Sequence, residues 1–197
     1  MYFVTNKIGQ LMTILTDKRQ FMIWLNIRKR LFSNTWCWVQ EERMIRIAIY
    51  GKGGIGKSTI AANISAILGK RGLKVLQIGC DTKHDSTMLL DSSNKETLLD
   101  IVANGCREGY LTIGKYGVHC IEIGGPKPGV GCAGRGIICG TSFLREEGIL
   151  GDYDCILYDV LGDVVCGGFF QPLKENLVDT MFIVTSGEFN SIFAANN

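Results

Sequence analysis

The sequence predicts an α/β fold built on a mostly parallel sheet with helices on both faces. Three observations carry this expectation. Short, nearly uninterrupted apolar runs recur along residues 44–197, as strands buried on both faces do. Segments with helical apolar spacing alternate with them, which is the pattern of βαβ crossovers. The first run ends in a glycine-rich turn that opens a helix, Gly51-Lys-Gly-Gly-Ile-Gly-Lys-Ser58.

Each element follows from local chemistry. Ile45-Arg-Ile-Ala-Ile-Tyr50 reads as a buried strand. Residues 58–71 place Ile60, Ala61, Ile64, Ile67 and Leu68 at helical spacing, and Gly72 is the C-cap candidate. Residues 73–79 form a second apolar strand, 95–103 a helix and 118–123 a third strand. The Gly/Pro-rich stretch 124–134 is a loop, 136–147 a helix and 153–158 a strand. Residues 159–168 form a Gly-rich loop, and 181–185 are the last strand, after which the chain stops. Ligands of such sheets bind outside the carboxyl ends of the strands. The loops 51–58, 80–87, 124–134 and 159–168 all follow strands and are expected along one sheet edge.

Residues 1–43 differ from the rest. They hold all three tryptophans (Trp24, Trp36, Trp38), one glycine of 25, and seven Lys/Arg against three Asp/Glu. The most apolar stretch, 21–32, is interrupted by Arg28-Lys29-Arg30, which suits neither a signal peptide nor a membrane span. The chain therefore divides into an atypical extension, 1–43, and a domain, 44–197. The extension reads as translated sequence upstream of a start at Met44, as a basic amphipathic surface helix, or as a partner-binding arm. A net charge of +2 gives no reason to expect nucleic acid. Eight cysteines without a secretory signal point to a reducing, cytoplasmic setting.

The turn at 51–58 fits G-x-x-x-x-G-K-[ST]. Glycines Gly51, Gly53, Gly54 and Gly56 let backbone N–H groups approach phosphate oxygens, with Ile55 completing the loop. The helix that follows, through Thr59, offers its positive end. Lys57 neutralises β/γ-phosphates and Ser58 ligates Mg²⁺ in such sites. The expected ligand is MgATP. A second lysine, Lys52, is not needed by a simple phosphate loop.

With Gly-Lys-Gly-Gly-Ile-Gly-Lys-Ser-Thr59 in place, the chain resembles the deviant P-loop ATPases, in which the extra lysine reaches across a nucleotide-dependent dimer. Three further segments narrow the resemblance. They are Gly79-Cys-Asp-Thr-Lys-His-Asp-Ser-Thr87, Gly124-Gly-Pro-Lys-Pro-Gly-Val-Gly-Cys-Ala-Gly-Arg-Gly136 and Tyr158-Asp-Val-Leu-Gly-Asp-Val-Val-Cys-Gly-Gly-Phe169. In this order they resemble the nitrogenase iron protein family. That family includes the ATP-dependent electron donors of dark protochlorophyllide reduction and of nickel-tetrapyrrole reductive cyclisation. The resemblance covers 44–197.

The resemblance implies a homodimer that binds MgATP, accepts electrons from reduced ferredoxin or flavodoxin, and passes them to a catalytic partner, with no nucleic acid and no membrane involved. Cys132 and Cys166 match the ligands of one dimer-bridging [4Fe–4S] cluster; without the family, both would read as buried cysteines. Cys80, Cys106, Cys120, Cys139 and Cys155 match no ligand position and read as packing residues. Asp81, Lys83 and Asp85 correspond to the first switch segment, with Asp81 sensing the γ-phosphate and Mg²⁺ and helping to activate water. Asp159 ends a strand as the Mg²⁺-side carboxylate. Asp163 lies on the second switch, between nucleotide and Cys166. Arg135 matches a surface arginine that faces the docking partner and is a site of ADP-ribosylation. His84 and His119 show no metal spacing.

Some features depart from the family pattern. Thr82 stands where a proline is usual, and the stretch between Thr87 and Val118 is short. Cys-Ala-Gly-Arg-Gly136 leans to nitrogenase, whereas Gln77-Ile-Gly-Cys80 and Lys83-His84-Asp85 lean to the tetrapyrrole reductases. Family members carry further strands, adenine-recognition residues and dimer surface beyond the point matching Asn197. A rival reading is a positioning ATPase of the partition or division-site kind, which needs neither Cys132 nor Cys166.

Overall fold

The computed structural model describes residues 2–5, 11–14, 16–17, 20–21, 44–93, 96–125, 131, 133–161 and 171–196. In the first segment Tyr2–Thr5 (β1) pairs antiparallel with Leu11–Ile14 (β2), and Thr16–Asp17 (β3) with Gln20–Phe21 (β4). These described pieces of the extension are strands; the rest of the apolar stretch 21–32, on which the surface-helix reading falls, lies outside the described residues beyond Phe21.

The domain then runs β5 (Ile45–Gly51), α1 (Lys57–Lys70), β6 (Val75–Cys80), α2 (Leu98–Ala103), β7 (Thr112–Ile113), β8 (His119–Glu122), α3 (Ala133–Glu146), β9 (Cys155–Val160), α4 (Gln171–Lys174), β10 (Thr180–Val184) and α5 (Phe189–Asn196). The sheet order is β10-β5-β9-β6-β8-β7. Five of these strands are parallel; β7 alone pairs antiparallel, at the edge.

Helices cover both faces. One face joins Ile47, Ile49, Val75, Cys155 and Leu157 to Ala61, Ile64 and Leu68 of α1. The other joins Ala48, Tyr50, Leu76, Ile78, Ile156 and Tyr158 to Leu98 and Ile101 of α2 and to Ile137 and Leu144 of α3. This explains why the strands read as continuous apolar runs: each side chain meets a helix on whichever face it points to.

Several boundaries differ from expectation. Helix α2 begins at Leu98 rather than at 95, because Thr97 caps it: its hydroxyl oxygen accepts from the Asp100 N–H at 3.2 Å. Helix α3 begins at Ala133, which puts Arg135 in its first turn. Strand β9 runs to Val160, so Asp159 is its penultimate residue and not its end. The C-cap of α1 is Arg71, with Gly72 (φ 87°) one residue beyond. A helix, α5, follows the last strand.

Candidate functional site

The phosphate loop leaves the carboxyl end of β5. Gly51 is held at φ 140°, and a Cβ there would drive into the carbonyl of Val184, its register partner on β10. Gly54 and Gly56 take φ 75° and 98° and face open space. Gly56 is the N-cap of α1, in the left-handed region, and no side chain caps the helix. The first N–H groups of α1 are therefore not taken by a capping side chain, which is the arrangement that receives an anion.

Lys57 is buried to 8% exposure, and its Nζ donates to the Lys52 carbonyl at 3.1 Å across the loop. Gly53 and Thr59 are exposed. Lys52, Ile55 and Ser58 are half-buried, and Ile55 packs on the α1-side core.

Asp159 lies opposite, 3% exposed. The Ser58 and Ser86 hydroxyls and the Lys57 ammonium lie close enough to act on this carboxylate. Among the described residues its Oδ1 has no hydrogen-bond partner. Burial raises its pKa above the ordinary value, and the nearby Asp81 adds to that rise; Ser58, Ser86 and Lys57 oppose it. A buried carboxylate with one unpartnered oxygen beside a serine hydroxyl fits a hard divalent cation such as Mg²⁺.

Asp81 follows β6 and forms a tight turn in which its Oδ1 accepts from the Lys83 N–H at 3.0 Å. Lys83, His84 and Asp85 are exposed, and His84 is left-handed at φ 56°. Lys57, Ser58 and Asp159 thus come together, with Asp81 within electrostatic reach, while Lys83 and Asp85 reach solvent from the same loop. Cys132, Asp163 and Cys166 lie outside the described residues. Arg135 is exposed on α3.

Of the cysteines read as packing residues, Cys80, Cys120 and Cys155 are buried. Cys106 and Cys139 are exposed, so packing does not account for them. Burial pushes the Cys80 thiol well up, with Asp159, Glu122 and Asp81 adding to it. Burial pushes Cys155 up to about 12.

Sequence reasoning missed a buried polar layer beneath the 81–87 loop. Gln77 (0% exposed) donates from Nε2 to the Ser86 carbonyl at 2.9 Å and lies 3.1 Å from the Ser86 hydroxyl. Glu122 (3% exposed) accepts from the Thr87 N–H and the Thr87 hydroxyl, both at 2.7 Å. The available signal was a polar residue inside each of two apolar strand runs, since such groups are buried only with partners.

A glycine loop that joins a parallel strand to a helix, facing a carboxylate near the end of the neighbouring strand, defines a P-loop nucleoside triphosphatase fold. Solved structures agree: MinD from Pyrococcus horikoshii, determined with Mg-ADP, superposes with TM-score 0.58 at 24% identity, covering 77% of this chain and 62% of that one. MinD from Aquifex aeolicus superposes with TM-score 0.55 at 29% identity, over 77% of this chain and 61% of that one.

Residues 45–197 match the family described as 4Fe-4S iron sulfur cluster binding proteins, NifH/frxC family, and the chain belongs to that family. The nitrogenase iron protein of Methanospirillum hungatei JF-1 is 54% identical over 161 residues, 78% of this chain and 57% of the relative. Nitrogenase iron protein 2 of Methanobacterium ivanovii is 54% identical over 156 residues, 77% of this chain and 59% of the relative. The chain thus spans less than two thirds of the length of these curated relatives.

Proposed function

We propose that this chain is the ATP-dependent reductase component of a nitrogenase-type system. The observation that carries the nucleotide half of this reading is the Asp159 carboxylate, buried with Oδ1 unpartnered among the described residues, beside Ser58 and Lys57. Residues 51–59 bind the phosphates of MgATP, with Lys57 as the main counter-charge and Ser58 and Asp159 on the Mg²⁺ side. Asp81, Lys83 and Asp85 respond to the γ-phosphate, and Asp163 relays that response on the second switch. Lys52 serves the nucleotide of a second copy of the chain in a homodimer.

The electron-transfer half rests on the family match and on the sequence around Cys132 and Cys166. These two cysteines, with their counterparts in the second copy, supply four thiolates for one [4Fe–4S] cluster, whose chemistry is one-electron transfer. A catalytic partner docks near Arg135, and reduced ferredoxin or flavodoxin is the donor, in the cytoplasm. Among the described residues no helix is long and apolar enough to cross a membrane. Residues 44–197 form the functional unit and 1–43 an accessory extension. The match to a cluster-binding family favours this reading over a positioning ATPase.

Two measurements test it. Calorimetry with MgADP is expected to show binding that Lys57→Ala weakens by roughly tenfold to a hundredfold, the scale of one charge-assisted hydrogen bond. Anaerobically reconstituted protein is expected to show a reducible [4Fe–4S] signal that serine at either Cys132 or Cys166 abolishes. Persistence of the signal in both variants overturns the ligand assignment.

A further inference from the structure

Three adjacent strands place Asp159, Gly79 and Glu122 in one row across the sheet. Gly79 is the register partner of Asp159 on β9 and of Glu122 on β8. Side chains alternate along a strand, so all three positions address the face covered by α1, the face of Leu157, Gln77 and Cys120 one row below. Two carboxylates thus flank a residue that has no side chain. The Ser86-Thr87 pair fills the gap. A Cβ on Gly79 would lie 2.7 Å from Glu122 Cδ and 2.8 Å from Ser86 Cβ, so only glycine leaves room.

The pair bridges the two carboxylates in opposite directions. The Ser86 hydroxyl lies on the Asp159 side, near enough to act on that carboxylate, while the Thr87 N–H and hydroxyl both donate to Glu122 at 2.7 Å. Gln77 holds the Ser86 carbonyl from beneath at 2.9 Å. Ser86 and Thr87 are 1% and 2% exposed, so these contacts are shielded from water and fix the turn closely.

We propose that Glu122, acting through Thr87 with Gln77 beneath it, is a positioning residue that sets the Ser86 hydroxyl against Asp159 and so aims the open carboxylate oxygen at Mg²⁺. This rests on the reading of residues 51–59 and Asp159 as a Mg²⁺–nucleotide site. Glu122 touches neither phosphate nor metal in this scheme. Its effect belongs to the metal-linked part of nucleotide affinity, not to the phosphate contacts of the loop.

The test is the ratio of ADP affinities with and without Mg²⁺, measured by calorimetry on the 197-residue chain. Thr87→Val and Glu122→Ala are expected to cut that ratio by about tenfold while leaving Mg²⁺-free ADP affinity unchanged. Thr87→Ser, which keeps both donors, is expected to retain the ratio. A ratio unchanged in Thr87→Val overturns the proposal, as does an equal fall in both affinities, which marks general structural damage. If Glu122→Ala does not fold, the isosteric Thr87→Val decides. No Mg²⁺ effect on the unsubstituted chain, with ADP still bound, overturns the positioning role and leaves the phosphate loop standing. No ADP binding at all overturns the nucleotide reading and this inference with it.

Discussion

Asp159 shows the tension between stability and function at a single residue. It is a carboxylate at 3% exposure whose pKa burial pushes above the ordinary value. A raised pKa means that the folded state binds the proton more tightly than the unfolded state, so ionising Asp159 near neutral pH opposes folding. Asp159→Asn is therefore expected to raise the thermal midpoint of the nucleotide-free chain and to abolish the Mg²⁺ enhancement of ADP affinity. A lowered midpoint would mean that the charge is compensated without metal. Lys57, Ser58 and Asp159 were legible in the sequence because each belongs to a motif with a chemical reason for its spacing. Gln77 and Glu122 were not. A single polar residue in an apolar run carries no partner's address, and their partners Ser86 and Thr87 sit nine and 35 residues away.

At the scale of elements, α1 joins the loop's chemistry to the core. Its start is set by a left-handed glycine rather than a capping side chain, and its end by Arg71 and Gly72. Gly69, inside it, is a packing requirement. A Cβ there would lie 2.8 Å from the Tyr116 carbonyl oxygen and 2.9 Å from Val118 Cγ2. Alanine is the better helix former, yet Gly69→Ala is expected to destabilise by about 1–3 kcal/mol, the usual range for overpacking. Chemical denaturation with an unchanged m-value would check this; a gain in stability would show that the 115–118 turn yields. Apolar periodicity exposed α1 and the long parallel strands. It could not expose β7, whose two residues are too short for a period. Nor did it mark α5, where Phe189, Ile192 and Phe193 are exposed and no core-facing stripe stands out. The start of α2 was readable from Thr97-Leu-Leu-Asp100, a capping pattern, but apolar spacing alone misplaced it.

Across the whole molecule the two sheet edges have different work. The carboxyl edge carries the loop and the buried carboxylates Asp159 and Glu122. The opposite edge carries ordinary stabilising contacts. There His119 shares a 2.8 Å hydrogen bond with the Tyr153 hydroxyl, and Lys74 lies 5.3 Å above the Tyr153 ring and pairs with Asp152. Burial, then the Lys74 charge, lowers the His119 pKa from its ordinary 6.5, with Asp152 opposing. The unfolded chain therefore binds this proton more readily. Stability is held above the unfolded pKa near 6.5 and declines as pH falls below it towards the lower folded value. Thermal midpoints taken from pH 8 downwards are expected to fall more steeply for the unsubstituted chain than for His119→Gln. Parallel curves would remove His119 as the cause. The division into one working edge was foreseeable, because every apolar run that feeds a glycine-rich loop does so in the same chain direction. The partnerships of the opposite edge were not, since His119 and Tyr153 stand 34 residues apart, beside strands that β6 separates.

Gly79 also has a consequence for mutational tolerance. Most buried positions degrade by degrees: an isoleucine shortened to valine loses a methyl group and keeps its shape. A glycine wedged against the Glu122 carboxylate and the Ser86 side chain offers no such gradation, because every other amino acid brings the carbon that the gap excludes. In a saturation library, position 79 would divide alleles into wild type and loss. Gln77 and Glu122, beside it, would return a graded series.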